Sequence, residues 1–141
     1  MAWLDGSLGF LVNRLAVVLR QELEAKLAAE KLTAPQWAVL LRLLDSDARL
    51  QRELGVSLGM DKATVGGVIQ RLEKRALIRR RRDHDDVRAI KVSLTAAGRK
   101  LAQTTAPYGE AVNKAALAGF TEEERAALLA MLQRAQRALR P

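Results

Sequence analysis

Cysteine is absent from the sequence, and histidine occurs once, at position 84. Without cysteine the chain can form no disulfide, thiol nucleophile or thiolate metal site, which suits a reducing, cytoplasmic setting. A single histidine argues against a histidine-rich metal centre. The sequence also shows no pair of carboxylates in a recognisable catalytic motif. We therefore expect no catalytic residues, no metal site and no cofactor, and we regard an enzyme as a poor interpretation.

Long apolar runs are also absent. No stretch of 18 or more apolar residues occurs, and the first ten residues lack a basic leader followed by an apolar run. We expect neither a membrane span nor a signal peptide. The composition, 49% hydrophobic and 28% charged, predicts a folded chain rather than a disordered one. A chain of this length is expected to form a single domain over residues 1–141.

Positive charge is concentrated in one stretch of the chain. The formal net charge is +8, and residues 60–95 contain ten Lys or Arg side chains against five acidic ones. Clustered positive charge indicates a polyanionic partner, either nucleic acid or an anionic membrane surface. A merely solubilising surface is the alternative, and charge alone leaves these interpretations open.

Helical periodicity dominates both ends of the chain. Leucine and valine recur at three- and four-residue spacing and predict one helix over residues 4–30. Such a helix would be about 40 Å long, so part of its apolar stripe is expected to contact a second subunit. Thr95 is expected to cap a helix that reaches about Ala118 and is kinked or broken near Pro107. A capping box at Thr121 begins the last helix.

The middle of the chain has the pattern of a helix-turn-helix followed by a hairpin. A second helix begins at Thr33 with proline in its first turn. A short third helix spans 48–58, and the alternative is that a few extended residues precede it. Gly59 ends the third helix and Asp61 caps a fourth over 62–75. Alternating residues predict strands over 77–82 and 88–94, joined by a polar turn.

Several separated motifs resemble the multiple-antibiotic-resistance regulator (MarR) family of winged helix-turn-helix transcription factors. They are Leu32–Trp37, Glu53-Leu54 with Leu58–Lys62, Arg71–Arg75, and Asp86-Val87-Arg88 followed by Val92–Gly98. The resemblance implies a mainly α fold with a small β-hairpin. In that fold a winged helix-turn-helix lobe, here 33–94, is flanked by dimerisation helices, here 4–30 and 95–140.

The same resemblance implies a function. Family members are homodimers, most often repressors, that bind a pseudo-palindromic operator in double-stranded DNA. One recognition helix enters each major-groove half-site, and each wing enters a flanking minor groove. We therefore expect a cytoplasmic regulator that is associated with the nucleoid when it is bound to DNA.

Ten residues are candidates for contact with DNA. Base contact is expected from the recognition helix, phosphate contact from basic side chains, and minor-groove contact from Arg88 held by an ion pair with Asp86. The alternatives are a solvent-facing helix and an ordinary hairpin salt bridge. The candidates are Lys62, Ala63, Thr64, Gln70, Arg71, Lys74, Arg79, Arg81, Asp86 and Arg88.

Four positions depart from the family pattern. Gly66 and Gly67 occupy outward recognition-helix positions where polar or basic side chains are usual. Ala76 stands where glycine is usual, and Leu50 stands where Thr or Ser would cap a helix. The two glycines favour an alternative function, in which a low-specificity or architectural protein reads DNA shape through its wing.

A small effector is implied by the family resemblance rather than by any motif. Family members commonly bind a small phenolic or other aromatic anion between the dimerisation and DNA-binding parts. Arg14, Trp37 and Tyr108 are the expected wall residues, although core packing is the preferred interpretation of Trp37. A membrane partner is disfavoured because the arginines cluster on a hairpin and not on a long amphipathic helix.

Overall fold

The structure is a computed structural model that describes residues 2–140. It is mainly helical, with one three-stranded antiparallel sheet in the order β1-β3-β2. The elements are α1 (Ala2–Asp5), α2 (Leu8–Leu27), a 3-10 turn (Ala28–Glu30), α3 (Ala34–Asp45), β1 (Arg49–Leu50), α4 (Gln51–Leu58), α5 (Lys62–Lys74), β2 (Ile78–Arg82), β3 (Ile90–Leu94), α6 (Ala96–Ala116) and α7 (Glu122–Leu139).

The N-terminal helix is shorter than predicted. Ser7 has an extended backbone that separates α1 from α2. At the other end the α-helix gives way to the 3-10 turn, which stops at Lys31 in the left-handed conformation. The prediction of one helix over 4–30 is therefore wrong at both ends. The 20 residues of α2 span about 30 Å.

Local signals correctly placed the start of α3. Thr33 Oγ1 accepts a hydrogen bond from the Gln36 N–H, and Gln36 Oε1 accepts one from the Thr33 N–H. This capping box satisfies backbone donors that a helix start leaves unpaired. Glu24 on α2 adds a third acceptor, because its Oε1 lies 3.0 Å from the Ala34 nitrogen. The start of α3 is thus connected to α2.

The predicted hairpin is confirmed, and a short third strand joins it. β2 and β3 pair with Ile78 opposite Leu94 and Arg82 opposite Ile90. β1 adds to the other edge of β3, with Arg49 opposite Val92. Two residues are too few to show strand periodicity, so sequence alone indicated no more than a few extended residues here.

A single core lies between α2, α3, α4, α5, α6 and the sheet. Fully buried leucines come from four of these helices, and β3 contributes Val92. Side chains that the core buries completely include Leu27, Leu40, Leu43, Leu54, Ile69, Leu72 and Val92. This core holds the helix-turn-helix, formed by α4 and α5, against the long helices α2 and α6. It also holds the wing, which consists of β2, β3 and the turn between them (residues 78–94).

Pro107 does not break α6. The helix runs without interruption from Ala96 to Ala116, so of the two outcomes expected near residues 103–107, a kink or a break, the break is wrong. Proline removes one N–H and leaves the carbonyl four residues earlier, at Gln103, without its helical donor. Both Pro107 and Gln103 are exposed, so water can satisfy that carbonyl. The cost is therefore low enough for the helix to continue.

Ala76 occupies the left-handed conformation that glycine would adopt more readily. Its φ is 56°, at the turn between α5 and β2. A side chain at such an angle costs roughly 1–2 kcal/mol, whereas glycine has no Cβ to clash. Ala76→Gly is therefore expected to raise the free energy of unfolding by about 1 kcal/mol, measured by urea denaturation.

The same substitution in a helix supplies the control. Ala111 is exposed in α6, where glycine is expected to lower stability by about 1 kcal/mol. Opposite signs at the two sites are the expected result. Equal destabilisation at both would contradict a strained Ala76.

Candidate nucleic-acid interface

The recognition helix α5 begins at a side-chain cap. Asp61 Oδ1 accepts a hydrogen bond from the Thr64 N–H at 2.7 Å. This bond stabilises the ionised carboxylate and lowers the pKa of Asp61 below its ordinary value. The inner face of α5 is buried through Val65, Val68, Ile69 and Leu72, as predicted. The helix ends at Lys74, one residue before the predicted end.

The opposite face of α5 is open to solvent. Its exposed residues are the six recognition-helix candidates, Lys62, Ala63, Thr64, Gln70, Arg71 and Lys74. Gly66 and Gly67 are half-buried on the same face. A Cβ at Gly66 would lie 3.7 Å from Gln51 Nε2, and one at Gly67 would lie 3.5 Å from Arg71 Nη1. Both are ordinary contacts, so packing does not require glycine at either position.

A clamp between Glu73 and Arg80 joins α5 to the wing. The guanidinium of Arg80 donates to Glu73 Oε1 at 2.8 and 3.1 Å, and the Arg80 backbone N–H donates to Oε2 at 3.2 Å. The hydrogen bond from the Arg80 side chain lowers the pKa of Glu73. The clamp therefore contributes stability above the ordinary glutamate pKa and loses it as pH falls through the lowered value.

Arg79 and Arg81 lie on the other face of β2. Neighbouring side chains of a strand alternate between faces, so these two arginines point away from Arg80 and from α5. They pair across the ladder with Ser93 and Lys91 and are exposed. The structure thus separates them from the outward face of the recognition helix.

The turn of the wing is held by backbone contacts. Asp86 Oδ1 accepts a hydrogen bond from the Arg88 backbone N–H at 3.0 Å. The predicted ion pair between the two side chains is wrong: within residues 2–140 no salt bridge joins them. Because Asp86 is occupied by the backbone, the exposed guanidinium of Arg88 remains available for a partner.

Two further contacts stiffen this turn. Arg82 Nη1 donates to the Val87 carbonyl at 2.7 Å. Lys91 and Asp83 form a salt bridge at 3.4 Å. Burial of Asp83 opposes ionisation, but the hydrogen bond from Lys91 holds the pKa of Asp83 below its ordinary value. These two side-chain contacts therefore connect the turn of the wing with its two strands.

Arg75 connects the end of the recognition helix to the end of the N-terminal helical segment. Its two guanidinium nitrogens donate to the carbonyls of Glu30 and Lys31 at 2.9 and 2.8 Å. The Lys31 carbonyl lies in the left-handed turn that ends the 3-10 segment. Sequence reasoning missed this contact because 44 residues separate the partners and no local pattern marks them.

Comparisons with known proteins agree with this geometry. A sequence model described as "MarR family" matches residues 32–90. The solved structure of a probable transcriptional regulator from Pseudomonas aeruginosa is 37% identical and covers 93% of this chain and 98% of its own, with a TM-score of 0.84. The chain belongs to the MarR family.

Two other MarR-like proteins extend the comparison. The regulator TtmR of Methylorubrum extorquens is 34% identical over 89% of this chain, and the match spans 64% of TtmR. Bordetella bronchiseptica BpsR, whose DNA binding is regulated by 6-hydroxynicotinic acid, is 31% identical, with a TM-score of 0.83. That match covers 91% of this chain and 97% of the BpsR chain. TtmR is an HTH-type transcriptional regulator.

The three residues expected to form a ligand pocket in this MarR-family chain do not come together. Trp37 lines a cavity of about 400 Å³ between α2, α3 and α6, and its indole N–H donates to the Thr105 carbonyl. Arg14 instead lies over the ring of Phe10, 5.5 Å from its centroid. Tyr108 packs against the core. Neither Arg14 nor Tyr108 lines the cavity beside Trp37.

The described part of the chain contains neither a metal-binding cluster nor a membrane-spanning helix. Over residues 2–140, no three histidine, aspartate or glutamate side chains are grouped closely enough to hold a metal ion. In the same range no helix has the length and apolar character needed to cross a membrane.

Proposed function

We propose that this MarR-family protein is a transcriptional regulator that binds double-stranded DNA through α5 and the wing. The proposal rests on a difference among the basic residues: some are held by internal hydrogen bonds, whereas others are exposed and have no such bond within residues 2–140. Arg75, Arg80 and Arg82 are engaged in internal hydrogen bonds. The polar side chains on the outer face of α5, and Arg88, remain exposed.

The outward face of α5 is the proposed reader of bases. Gln70 suits adenine, to which its amide can form two hydrogen bonds, and Lys62 suits the acceptors of guanine. Thr64 can bond to either, and Ala63 can pack against a thymine methyl group. Between them, Gly66 and Gly67 contribute no side chain. We therefore propose that this helix reads few bases.

Phosphate contacts are the proposed role of the other basic residues. Arg71 and Lys74 extend the outward face of α5 towards its C-terminal end. Arg79 and Arg81, on the far face of the wing, fit flanking phosphates better than the groove that α5 would occupy. Contacts of this kind position the protein without reading sequence, and each adds to the salt dependence of binding.

A small aromatic acid is the proposed effector, and repression is the proposed mode. Support comes from BpsR, which is 31% identical and whose DNA binding is regulated by 6-hydroxynicotinic acid. A ligand that binds the DNA-free form better than the DNA-bound form weakens DNA binding by the ratio of its two affinities. Release of the operator is the consequence.

We propose that the chain forms one domain over residues 1–141. Two copies of it form a homodimer through α2, α6 and α7. The helix α7 buries none of its side chains within the chain, and the apolar residues Leu11, Leu15 and Val18 of α2 are 47–53% exposed. A large apolar patch that is exposed on a protein surface commonly marks an interface with another molecule. A second copy would cover them and would place two α5 helices on one operator.

Sedimentation at micromolar concentration is expected to show a dimer. Leu132→Glu puts a charge on the apolar face of α7 and is expected to shift the species to monomer, because an unpaired buried charge is costly. Ala130→Glu is the matched control, since Ala130 lies on the opposite side of the helix. A monomeric wild-type protein would overturn the proposed assembly.

The proposal also covers catalytic activity and the place in the cell where the protein acts. We infer that the protein has no catalytic activity, in keeping with relatives that are regulators. We infer further that it acts in the cytoplasm, at the nucleoid when it is bound to DNA. An architectural function is not favoured by the comparisons, because the relatives are transcriptional regulators.

Selection from random duplex DNA tests the proposed function. The protein is expected to enrich an inverted repeat with half-sites about one helical turn apart. Affinity for the enriched duplex at physiological salt is expected to exceed that for a scrambled duplex by about 1,000-fold. A ratio near one would contradict sequence-specific regulation and would select the architectural alternative.

A further inference from the structure

A cleft of about 420 Å³ lies between α4, the start of α5 and the wing. In the proposed complex, α5 enters the major groove and the wing enters the flanking minor groove. One sugar-phosphate backbone separates these two grooves, so that strand must pass between α5 and the wing. The cleft lies at this position and is therefore the expected path of the strand.

The charged part of the lining is entirely positive. Arg52 of α4, Lys62 of α5 and Arg88 of the wing line the cleft, and no acidic residue does. All three side chains are exposed, and none of them forms a salt bridge within residues 2–140. Three elements of the fold thus each direct one free cation towards the same strand, and phosphates attract such a cluster strongly.

Much of the remaining wall is apolar. Leu50, Val56, Met60 and Ile90 contribute to it. Deoxyribose presents C–H groups while the phosphates carry the charge, so a wall that is partly apolar and partly cationic suits a sugar-phosphate strand. A small hydrated anion would lose water at the apolar part without gaining a hydrogen bond there.

We propose that this cleft binds the sugar-phosphate backbone between the two grooves, and that Arg52 donates to one of its phosphates. Arg52 lies in the first turn of α4, outside both the recognition helix and the wing. Its contact positions the protein, because phosphate contacts carry no sequence information. The inference rests on the proposed binding of DNA by α5 and the wing, and it adds a third element to that surface.

Arg52→Ala is expected to weaken binding to the selected operator about tenfold at physiological salt, because a charge-assisted hydrogen bond to a phosphate is lost. Binding to a scrambled duplex is expected to fall by the same factor, since the lost contact reads no base. The slope of log Kd against log salt should fall by about one for each Arg52 in contact with the DNA. Fluorescence anisotropy with labelled duplexes at several salt concentrations measures all three quantities.

Two variants serve as controls. Arg52→Lys keeps the positive charge and is expected to retain the wild-type salt slope, with affinity reduced by no more than about threefold. Arg134→Ala removes the same charge from α7 and is expected to change neither affinity nor slope. A loss confined to the selected operator would overturn the phosphate contact, because that result indicates the reading of a base. Unchanged affinity and slope in Arg52→Ala would remove Arg52 from the interface.

Neutral phosphate substitutions locate the strand. A methylphosphonate replaces one charged phosphate oxygen by a methyl group, and it is placed in turn at each phosphate of the selected operator. Wild-type protein is expected to lose affinity at every phosphate that it contacts. Arg52→Ala is expected to become insensitive at one phosphate of each half-site, on the strand between the major-groove contact and the flanking minor groove. Equal losses in both proteins at every phosphate, or insensitivity at the centre of the operator, would overturn the assigned position.

A carboxylate placed in the cleft gives an independent test. Val56 lines the cleft and is 84% exposed, so polar substitutions there leave the core intact. Val56→Glu is expected to weaken DNA binding about tenfold more than Val56→Gln, because the two side chains have nearly the same shape and only glutamate repels a phosphate. Equal DNA affinity of the two variants would contradict the proposed path of the strand.

The outcomes separate this inference from the proposed function. A wild-type protein that prefers its selected operator, together with an Arg52→Ala variant of unchanged affinity, would disprove the Arg52 contact and leave the regulator intact. A wild-type protein without preference among DNA sequences would disprove the regulator, whereas an equal loss in Arg52→Ala on every duplex would still support the cleft. Absence of DNA binding in the wild type would overturn both.

Discussion

Gly98→Ala is expected to lower the free energy of unfolding by about 3 kcal/mol. An alanine Cβ at this position would lie 1.9 Å from the Leu77 carbonyl oxygen and 2.9 Å from its carbon. That oxygen belongs to the backbone and accepts the Thr95 N–H, so it cannot move aside without breaking a hydrogen bond.

This loss has a structural consequence for the DNA-binding surface. Gly98 lies at the start of α6, where the helix crosses the start of β2, and the Thr95 hydroxyl connects the two because it donates to the Ala76 carbonyl and accepts from the Gly98 N–H. Forcing them apart displaces the wing as well as weakening the fold. Thermal denaturation should show a drop of about 10 °C.

Gly119→Ala is the matched control. No atom lies within 4 Å of a Cβ built at Gly119, and its backbone is not left-handed. A change below about 0.5 kcal/mol is expected there. If Gly98→Ala unfolded at the wild-type temperature, the close approach of α6 to Leu77 would be disproved.

Arg88→Ala is expected to weaken binding to the selected operator at least tenfold, or about 1.4 kcal/mol. The guanidinium of Arg88 forms no salt bridge within residues 2–140. It lies on a turn in which the Arg82 side chain donates to the Val87 carbonyl and the Asp86 side chain accepts from the Arg88 N–H. Arginine suits the negative potential of a narrow minor groove. The slope of log Kd against log salt should also fall by about one.

Two variants make this test specific. Arg134→Ala removes the same charge from α7, far from the wing, and is expected to leave operator affinity within twofold. Arg88→Lys retains the charge but not the planar guanidinium, so intermediate affinity is expected. Unchanged operator affinity of Arg88→Ala at physiological salt would remove Arg88 from the interface, provided that the circular dichroism spectrum matches the wild type.

The predictions that the structure confirms depend on residues close together in the chain. Thr33, Asp61, Thr95 and Thr121 each cap the helix that follows, because a cap needs a suitable side chain only three residues from its donor. The buried face of α5 follows from helical periodicity in the same way. Neither needs information from elsewhere in the fold.

The features that local patterns did not predict depend on solvent exposure, on the geometry of a turn or on contacts between distant residues. Pro107 leaves α6 intact because its freed carbonyl is on an exposed surface, and local pattern does not report exposure. The ion pair expected between Asp86 and Arg88 gave way to a backbone hydrogen bond, which the turn geometry favours. β1 exists only because β3 offers an unpaired edge 40 residues later.

The family, the order of the helices and hairpin, and the candidate DNA contacts can be read from local motifs and periodicity in the chain. Which basic residues are free depends on how the elements pack. Arg75 and Arg80 are held by partners on other elements, whereas Arg88 is not. The same packing places Arg52, Lys62 and Arg88 around one cleft, because α4, α5 and the wing bring together residues that lie far apart in the chain.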